Sequence, residues 1–187
     1  MPRRPRIQHD ALLDALLGVF CEHGFEGASL SLVSQATGLR RASLYHRFPD
    51  GKTGMALAVL ERVQAEFGAH VLAPLAEAGP PAARVRRTAQ RLAAFYRGGA
   101  RSCVLETLSL GRPEPAVRAA VQRCLSAVLE GFAAVAREAG ATPAQARRRA
   151  ELALARYQGA LVLARAGGDR SAFERAMREL PAALCGE

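Results

Sequence analysis

"TGLRRASLYHRFPDGK", residues 37–52, sets Arg40, Arg41 and Arg47 among Leu39, Leu44, Tyr45 and Phe48, with no acid before Asp50. Gly38 ahead of it and Pro49 with Gly51 behind it punctuate a short helix over 40–46. Working outward, a second short helix fits 30–36, with Ser29 as its N-cap and Gly38 as its stop. A longer first helix fits 7–23, carrying Leu13, Leu16, Leu17 and Phe20 on one stripe and ended by the glycine of "HGF" at 23–25. Two short helices about a tight turn, supported by a longer one, make a helix-turn-helix. In that arrangement Leu39, Leu44 and Phe48 face Leu16, Phe20, Leu30 and Val33, and Arg40, Arg41, Ala42, Ser43 and His46 are left outward.

Those outward residues suit the start of a helix that reads base edges, because an arginine can bond two acceptors of guanine at once, contributing roughly 1–3 kcal/mol of discrimination. Tyr45, Arg47 and Lys52 offer donors to phosphate around the same helix, and Ser29 and Ser31 place hydroxyls at the second helix's N-terminus, where the dipole favours an anion. Arg3, Arg4 and Arg6 form a basic arm suited to a minor groove or to salt-sensitive affinity. A solvated basic surface helix is the competing reading, which spacing alone leaves open.

Helical periodicity continues to the end of the chain and no run of alternating β-branched residues interrupts it, so the expected class is all-α. One continuous helix is expected over 53–78, ended by "GPP" at 79–81. Further helices are expected over 82–97, 101–110, 114–139, 142–166 and 171–184. "TPAQ" at 142–145 and "SAFE" at 171–174 both spell capping boxes. The natural division is a helix-turn-helix domain over 1–52 and a larger helical domain over 53–187. In the stretch 142–166, Ala146, Ala150, Ala153, Leu154, Tyr157, Leu161 and Ala164 form one stripe, and Leu152, Gly159 and Leu163 lie on another side. A helix apolar on two faces needs a second partner besides its own core. The next helix adds Phe173, Met177 and Leu180.

The 187 residues carry a net charge of +9, half of them are hydrophobic, and Lys52 is the only lysine among the 26 basic residues. No apolar run approaches the roughly 20 residues that span a bilayer, and "MPRRPRIQHD" lacks the apolar core of a secretory signal, so a cytoplasmic location is expected. Cys21, Cys103, Cys124 and Cys185 are widely spaced, with no CxxC pair, and are expected as free thiols without a metal. His9, His23, His46 and His70 are scattered, and HExxH, GxSxG and a phosphate-binding glycine loop are all missing. Catalysis and a cofactor are therefore not expected. A helical ligand-sequestering or interaction protein is the remaining alternative to a DNA reader.

"GFEGASLSLVSQATGLRRASLYHRFPDGK" resembles the N-terminal DNA-binding segment of TetR/AcrR-type transcriptional regulators. Its "FPDGK" is one residue longer before the lysine than the commonest form and is similar to a subgroup, which "RSCVLETLSLG" at 101–111 and "YQGALVLARAGGDRSAFERAMRELPAAL" at 157–184 also resemble. The resemblance implies a homodimeric, all-helical repressor that binds a double-stranded operator and is released by a small-molecule effector. It puts Arg41, Ala42 and His46, with Arg40 beside them, at base-contact positions, and Ser43, Tyr45 and Lys52 at phosphate-contact positions. It places the dimer on the last two helices. Ser34, Thr37, Arg40, Arg41 and Thr53 depart from the residues usual there. The implied pocket has Phe67, Phe95, Tyr96, Cys103, Leu105, Leu108, Leu125, Leu129 and Phe132 as candidate lining, with Arg101 and Glu106 as candidate polar anchors. So few polar groups imply a lipophilic effector.

Overall fold

The computed structural model describes residues 7–186. The described residues form helices and connecting turns, with no strand among them. In order these are α1 (His9–Gly27), α2 (Leu30–Thr37), α3 (Arg41–Arg47), α4 (Gly51–Phe67), α5 (Pro81–Phe95), α6 (Val104–Ser109), α7 (Pro115–Glu138), α8 (Pro143–Gly167) and α9 (Ser171–Cys185). The chain gathers into two compact units, Met1–Val63 with Val104–Gln122, and Gln64–Cys103 with Arg123–Glu187. Both α4 and α7 run from one unit into the other.

In the first unit Leu12, Leu16, Phe20, Val33, Leu44, Met55 and Leu60 make a closed apolar core. α1 breaks at Gly24, which has φ 65°, and adds one more turn before α2. α2 starts on the Ser29 hydroxyl, which accepts from Leu32 N at 3.2 Å. It stops at Gly38, whose φ of 67° lies in the left-handed region that a side chain disfavours. Thr37 strengthens that stop: its buried hydroxyl donates to Val33 O at 2.7 Å and accepts from Leu39 N at 3.3 Å. Nothing in the structure explains the buried, unpartnered hydroxyl of Ser34. Arg62 ties α4 to α1, donating to Asp10 O at 2.7 Å and pairing with Asp14 at 2.9 Å. α6 packs along α1, and the next loop is held by Glu26 Oε1, which accepts from Arg112 N at 2.9 Å.

The helix expected over 53–78 departs from that reading at both ends. It begins at Gly51, and beyond Phe67 it loosens into a π turn over Gly68–Leu72 and then tightens into a 3-10 turn over Ala73–Ala76. Pro74 is the physical reason. It has no amide hydrogen to offer the carbonyl of His70 four residues earlier, and that carbonyl instead accepts from Arg91 Nη1 at 3.3 Å. Arg84, buried on α5, closes the end of the segment by donating to Leu75 O at 2.9 Å and Glu77 O at 3.0 Å while ion-pairing with Glu138.

In the second unit α9 packs against both α5 and α8. Val85, Leu92, Tyr157, Leu161, Phe173 and Leu184 form the centre. The Thr142 capping box is present, with both reciprocal bonds to Gln145. The second expected box is absent. Ser171 is not the cap of α9; its amide and hydroxyl both donate to the Asp169 carboxylate, at 2.9 and 2.7 Å. A carboxylate is the stronger acceptor and stands two residues earlier. These two bonds also hold the Asp169 pKa below the usual carboxylate value. The helix expected from 101 starts at Val104, because a 3-10 turn over Arg97–Gly99 takes the preceding residues.

Gly99 in that turn has φ 93°, and a Cβ there would lie 3.2 Å from the Cβ of Ala164 and 3.3 Å from Phe173. Gly99→Ala is accordingly expected to cost about 1–3 kcal/mol from backbone strain and overpacking. A shift of the urea midpoint at unchanged slope would report it.

Contrary to the reading that no apolar run is long enough, α7 has the length and mean hydropathy, 1.3 over its best 18 residues, to cross a membrane. Val117, Val121, Val128, Phe132 and Val135 on this helix are buried within the protein, and 39% of that 18-residue window is buried in all.

Candidate nucleic-acid interface and the second unit

α3 owes its exposure to its own sequence. Leu44 is fully buried and Phe48 nearly so, which turns Arg40, Arg41, Ala42, Ser43, Tyr45 and His46 to the surface. Tyr45 is 48% exposed, and its ring edge lies 3.3 Å from where a Cβ of Gly51 would stand. Glycine at 51 thus leaves room for the tyrosine beside the start of α4. The result is a protruding short helix of cations and hydroxyls whose nearest acid in sequence is Asp50, beyond its end. Such a surface attracts a polyanion.

Two of the expected phosphate donors are engaged inside the unit. The Lys52 ammonium donates to Glu26 O at 3.3 Å and lies 4.7 Å from the centre of the Phe25 ring. The Arg47 guanidinium, half-buried, reaches Ile7 O at 3.5 Å. Both therefore brace the segment that carries α3. Ser29 is spent on capping α2, whereas Ser31 accepts a hydrogen bond from Arg41 Nη2 at 2.8 Å. That link between α2 and α3 was not read from the sequence, where only the chance proximity of two polar residues ten positions apart signals it. Arg3, Arg4 and Arg6 lie outside the described residues.

The second unit brings together part of the candidate effector set. Phe67 and Phe95 meet edge to face at 5.1 Å, Phe95 and Tyr96 at 5.2 Å, and Tyr96 also touches Tyr157 and Phe173 at 6.2 and 6.3 Å between ring centres. Arg101 stacks its guanidinium 4.7 Å from the centre of Phe95. The Cys103 sulfur accepts from Tyr96 OH at 3.4 Å and from Gln158 Nε2 at 3.3 Å. Gln158 was missed in the sequence, its only signal being an amide beside Tyr157 on an otherwise apolar stripe. Burial holds the phenols of Tyr96 and Tyr157 well above their ordinary pKa, with the neighbouring phenol and Cys103 adding to the rise at Tyr96. Burial likewise pushes the Cys124 thiol up, which keeps it protonated and unreactive.

Leu125 and Leu129, half-buried, and Phe132, buried, stand on α7 in the same unit. Leu129 lines an open cavity of about 310 Å³ between α7 and α8, with Ser126, Glu130, Ala133, Arg137 and Ala150 among its walls. Leu105 and Leu108 are placed differently, on α6 in the first unit, as is Glu106. Phe173, Met177 and Leu180 are buried in their own unit. The outer groove of α8 and α9, about 590 Å³, is lined instead by Ala155, Gly159, Val162, Leu163, Ala172 and Ala176, with the charged Arg156, Arg175 and Glu179 also on its walls. Among the described residues no three His, Cys, Asp or Glu side chains are grouped to hold a metal ion.

Comparison with known proteins places this geometry. Residues 12–59 match the family model of bacterial regulatory proteins of the tetR family, and residues 81–179 match that of the LmrA/YxaF-like transcriptional regulator C-terminal domain. Over 67 residues the chain is 39% identical to the HTH-type transcriptional repressor ComR of Escherichia coli K12, spanning 35% of this chain and 31% of that one. Among solved structures, a TetR transcriptional regulator from Legionella pneumophila superposes with a TM-score of 0.83 at 16% identity, over 97% of this chain and all of the other. A cysteine mutant of the TetR family regulator CifR, solved with a 26 bp operator duplex, gives 0.77 at 24% identity, over 97% and 98% of the two chains. The fold and family are those of transcription regulators rather than enzymes. With a helix-turn-helix segment and a C-terminal domain each matched in its own right, the chain belongs to the TetR family of bacterial regulatory proteins.

Proposed function

We propose that this protein is a ligand-responsive transcriptional repressor that binds a pseudo-palindromic DNA operator as a homodimer and is released by a small lipophilic effector. The observation that carries the reading is α3, whose Arg41, Ser43, Tyr45 and His46 are exposed while its single leucine is the anchor. Residues 1–52 carry the reading function and 53–187 the effector and dimer functions. Arg40, Arg41, Ala42 and His46 contact bases. Ser43 and Tyr45 contact phosphate, Lys52 chiefly holds the reader on α1, and Arg47 holds it on the Ile7 backbone just before α1. The protein works in the cytoplasm, where the DNA is.

The dimer rests on α8 and α9. Leu152, Val162 and Leu163 are exposed on α8, at 59, 43 and 62%, and they continue into the small-residue groove described above. A partner helix can approach closely over Gly159, where a Cβ would meet nothing within 4 Å. Two readers related by a twofold axis cover half-sites about one helical turn, ~34 Å, apart. The effector takes the aromatic side of the second unit, where Phe67, Phe95 and Tyr96 supply apolar area and the Cys103 and Gln158 group supplies polarity. An effector that favours the form unable to span both half-sites draws the population away from DNA.

The test is selection of randomised duplexes on the purified protein at near-physiological salt, followed by titration of the enriched duplex at several salt concentrations. A pseudo-palindrome bound with two protomers supports the reading. Steeply salt-dependent binding with no enriched sequence would leave a basic protein without an operator and overturn it.

A further inference from the structure

We propose that Ser31 is a positioning residue for Arg41, holding its guanidinium so that it reads a guanine in each operator half-site. The inference rests on the reading of α3 as the operator reader. Arg41 is the first residue of α3 and Ser31 lies in the first turn of α2. Both side chains are exposed, and Arg41 Nη2 donates to Ser31 Oγ at 2.8 Å. A free arginine side chain gives up roughly 2 kcal/mol of rotamer entropy when it is immobilised. One already tethered at its tip, between the two helices that make up the motif, gives up less on meeting DNA.

The tether leaves the reading chemistry intact. A guanidinium presents two edges with paired donors, Nη1 with Nη2 and Nε with Nη2, and each Nη2 hydrogen belongs to only one of them. Whichever hydrogen Ser31 takes, one two-donor edge remains whole. That edge matches the O6 and N7 acceptors of guanine in the major groove. Adenine offers N7 beside an amino donor, and the pyrimidines offer no paired acceptors there. Arg41 is thereby a guanine reader, and Ser31 sets how sharply it discriminates. The Ser31 hydroxyl accepts in this bond and keeps its own hydrogen, so positioning Arg41 is a role separate from any phosphate contact, which carries no sequence information.

The experiment measures affinity of the selected operator, and of its single base-pair substitutions, for the wild type, Ser31→Ala, Ser31→Thr, Arg41→Ala and the Ser31→Ala/Arg41→Ala double variant. The wild type is expected to prefer guanine at one position of each half-site by about 5- to 150-fold, the range a bidentate arginine gives. Ser31→Ala should lower that preference by several fold at this position alone. Ser31→Thr, which keeps the hydroxyl, should restore it, and Ser31→Ala should have no effect on preference once Arg41 is absent. A Ser31→Ala variant that binds every operator more weakly by the same factor would make Ser31 a phosphate contact and overturn the proposal. So would an unchanged guanine preference in that variant, or a wild type whose Arg41-dependent position selects another base. A wild type that enriches no sequence at all removes the operator reading itself, a failure distinct from these.

Discussion

Leu163→Glu is expected to leave the protein monomeric at micromolar concentration and to weaken operator binding by on the order of a hundredfold or more. Leu163 is 62% exposed at the wall of the α8 and α9 groove, beside Val162 and opposite Ala172 and Ala176. An apolar side chain left largely exposed there is covered by the second copy in the proposed dimer. In a twofold interface each substitution enters twice, so a carboxylate is desolvated on both subunits at a cost of several kcal/mol. A monomer then engages one half-site and loses the gain from having its second reader already near the DNA. Sedimentation equilibrium reads the first effect and operator titration the second, while circular dichroism should remain that of the wild type because the position is outside the core. A dimer that persists with wild-type affinity would show that the subunits meet on another face.

The largest stability effect is expected in the buried core of the same unit. Phe173→Ala should lower stability by about 3–5 kcal/mol, the usual cost of emptying a buried phenylalanine site. For a chain of this length that corresponds to a melting temperature about 6–20 °C lower. Phe173 is fully buried, its ring stands nearly perpendicular to Tyr96 at 6.3 Å, and it lies on α9 between α5 and α8. Gly99 approaches it so closely that the backbone cannot collapse further to fill the space. A thermal melt followed by circular dichroism checks the number. A drop of only 1–2 °C would mean that the neighbouring rings repack into the vacancy.

Local signals account for most of what was legible in advance. The Ser29 cap, the Gly38 stop and the Thr142 box each involve groups within a few residues of one another, so the chain carries both partners side by side. The stripe of Ala146, Ala150, Ala153, Leu154, Tyr157, Leu161 and Ala164 was readable for the same reason, since helical spacing alone puts these residues on one face, and all are buried except Leu154, which is half-buried. Leu152 and Leu163 were readable as the other side of that helix, and they are exposed. Where two local signals competed, spelling was not enough. "SAFE" spells a box, yet the nearby Asp169 carboxylate takes the bonds. Pro74 is visible in the sequence, but the π turn it induces is tolerated because Arg91, from the next helix, satisfies the His70 carbonyl.

By itself, then, the sequence determined the all-helical class, the helix-turn-helix and the residues exposed on α3, because caps, breakers and apolar periodicity act over one or two turns of chain. It determined a second apolar face on α8 in the same way. Only the tertiary structure decided what each polar group does once exposed or buried. It turned Lys52 to Glu26 and Arg47 to Ile7, joined Arg41 to Ser31, drew Gln158 to Cys103, and set Leu105 and Leu108 with the first unit. The reason is physical: long side chains bond whichever partner the packing brings within about 3 Å, and that partner stands up to 86 residues away in the chain.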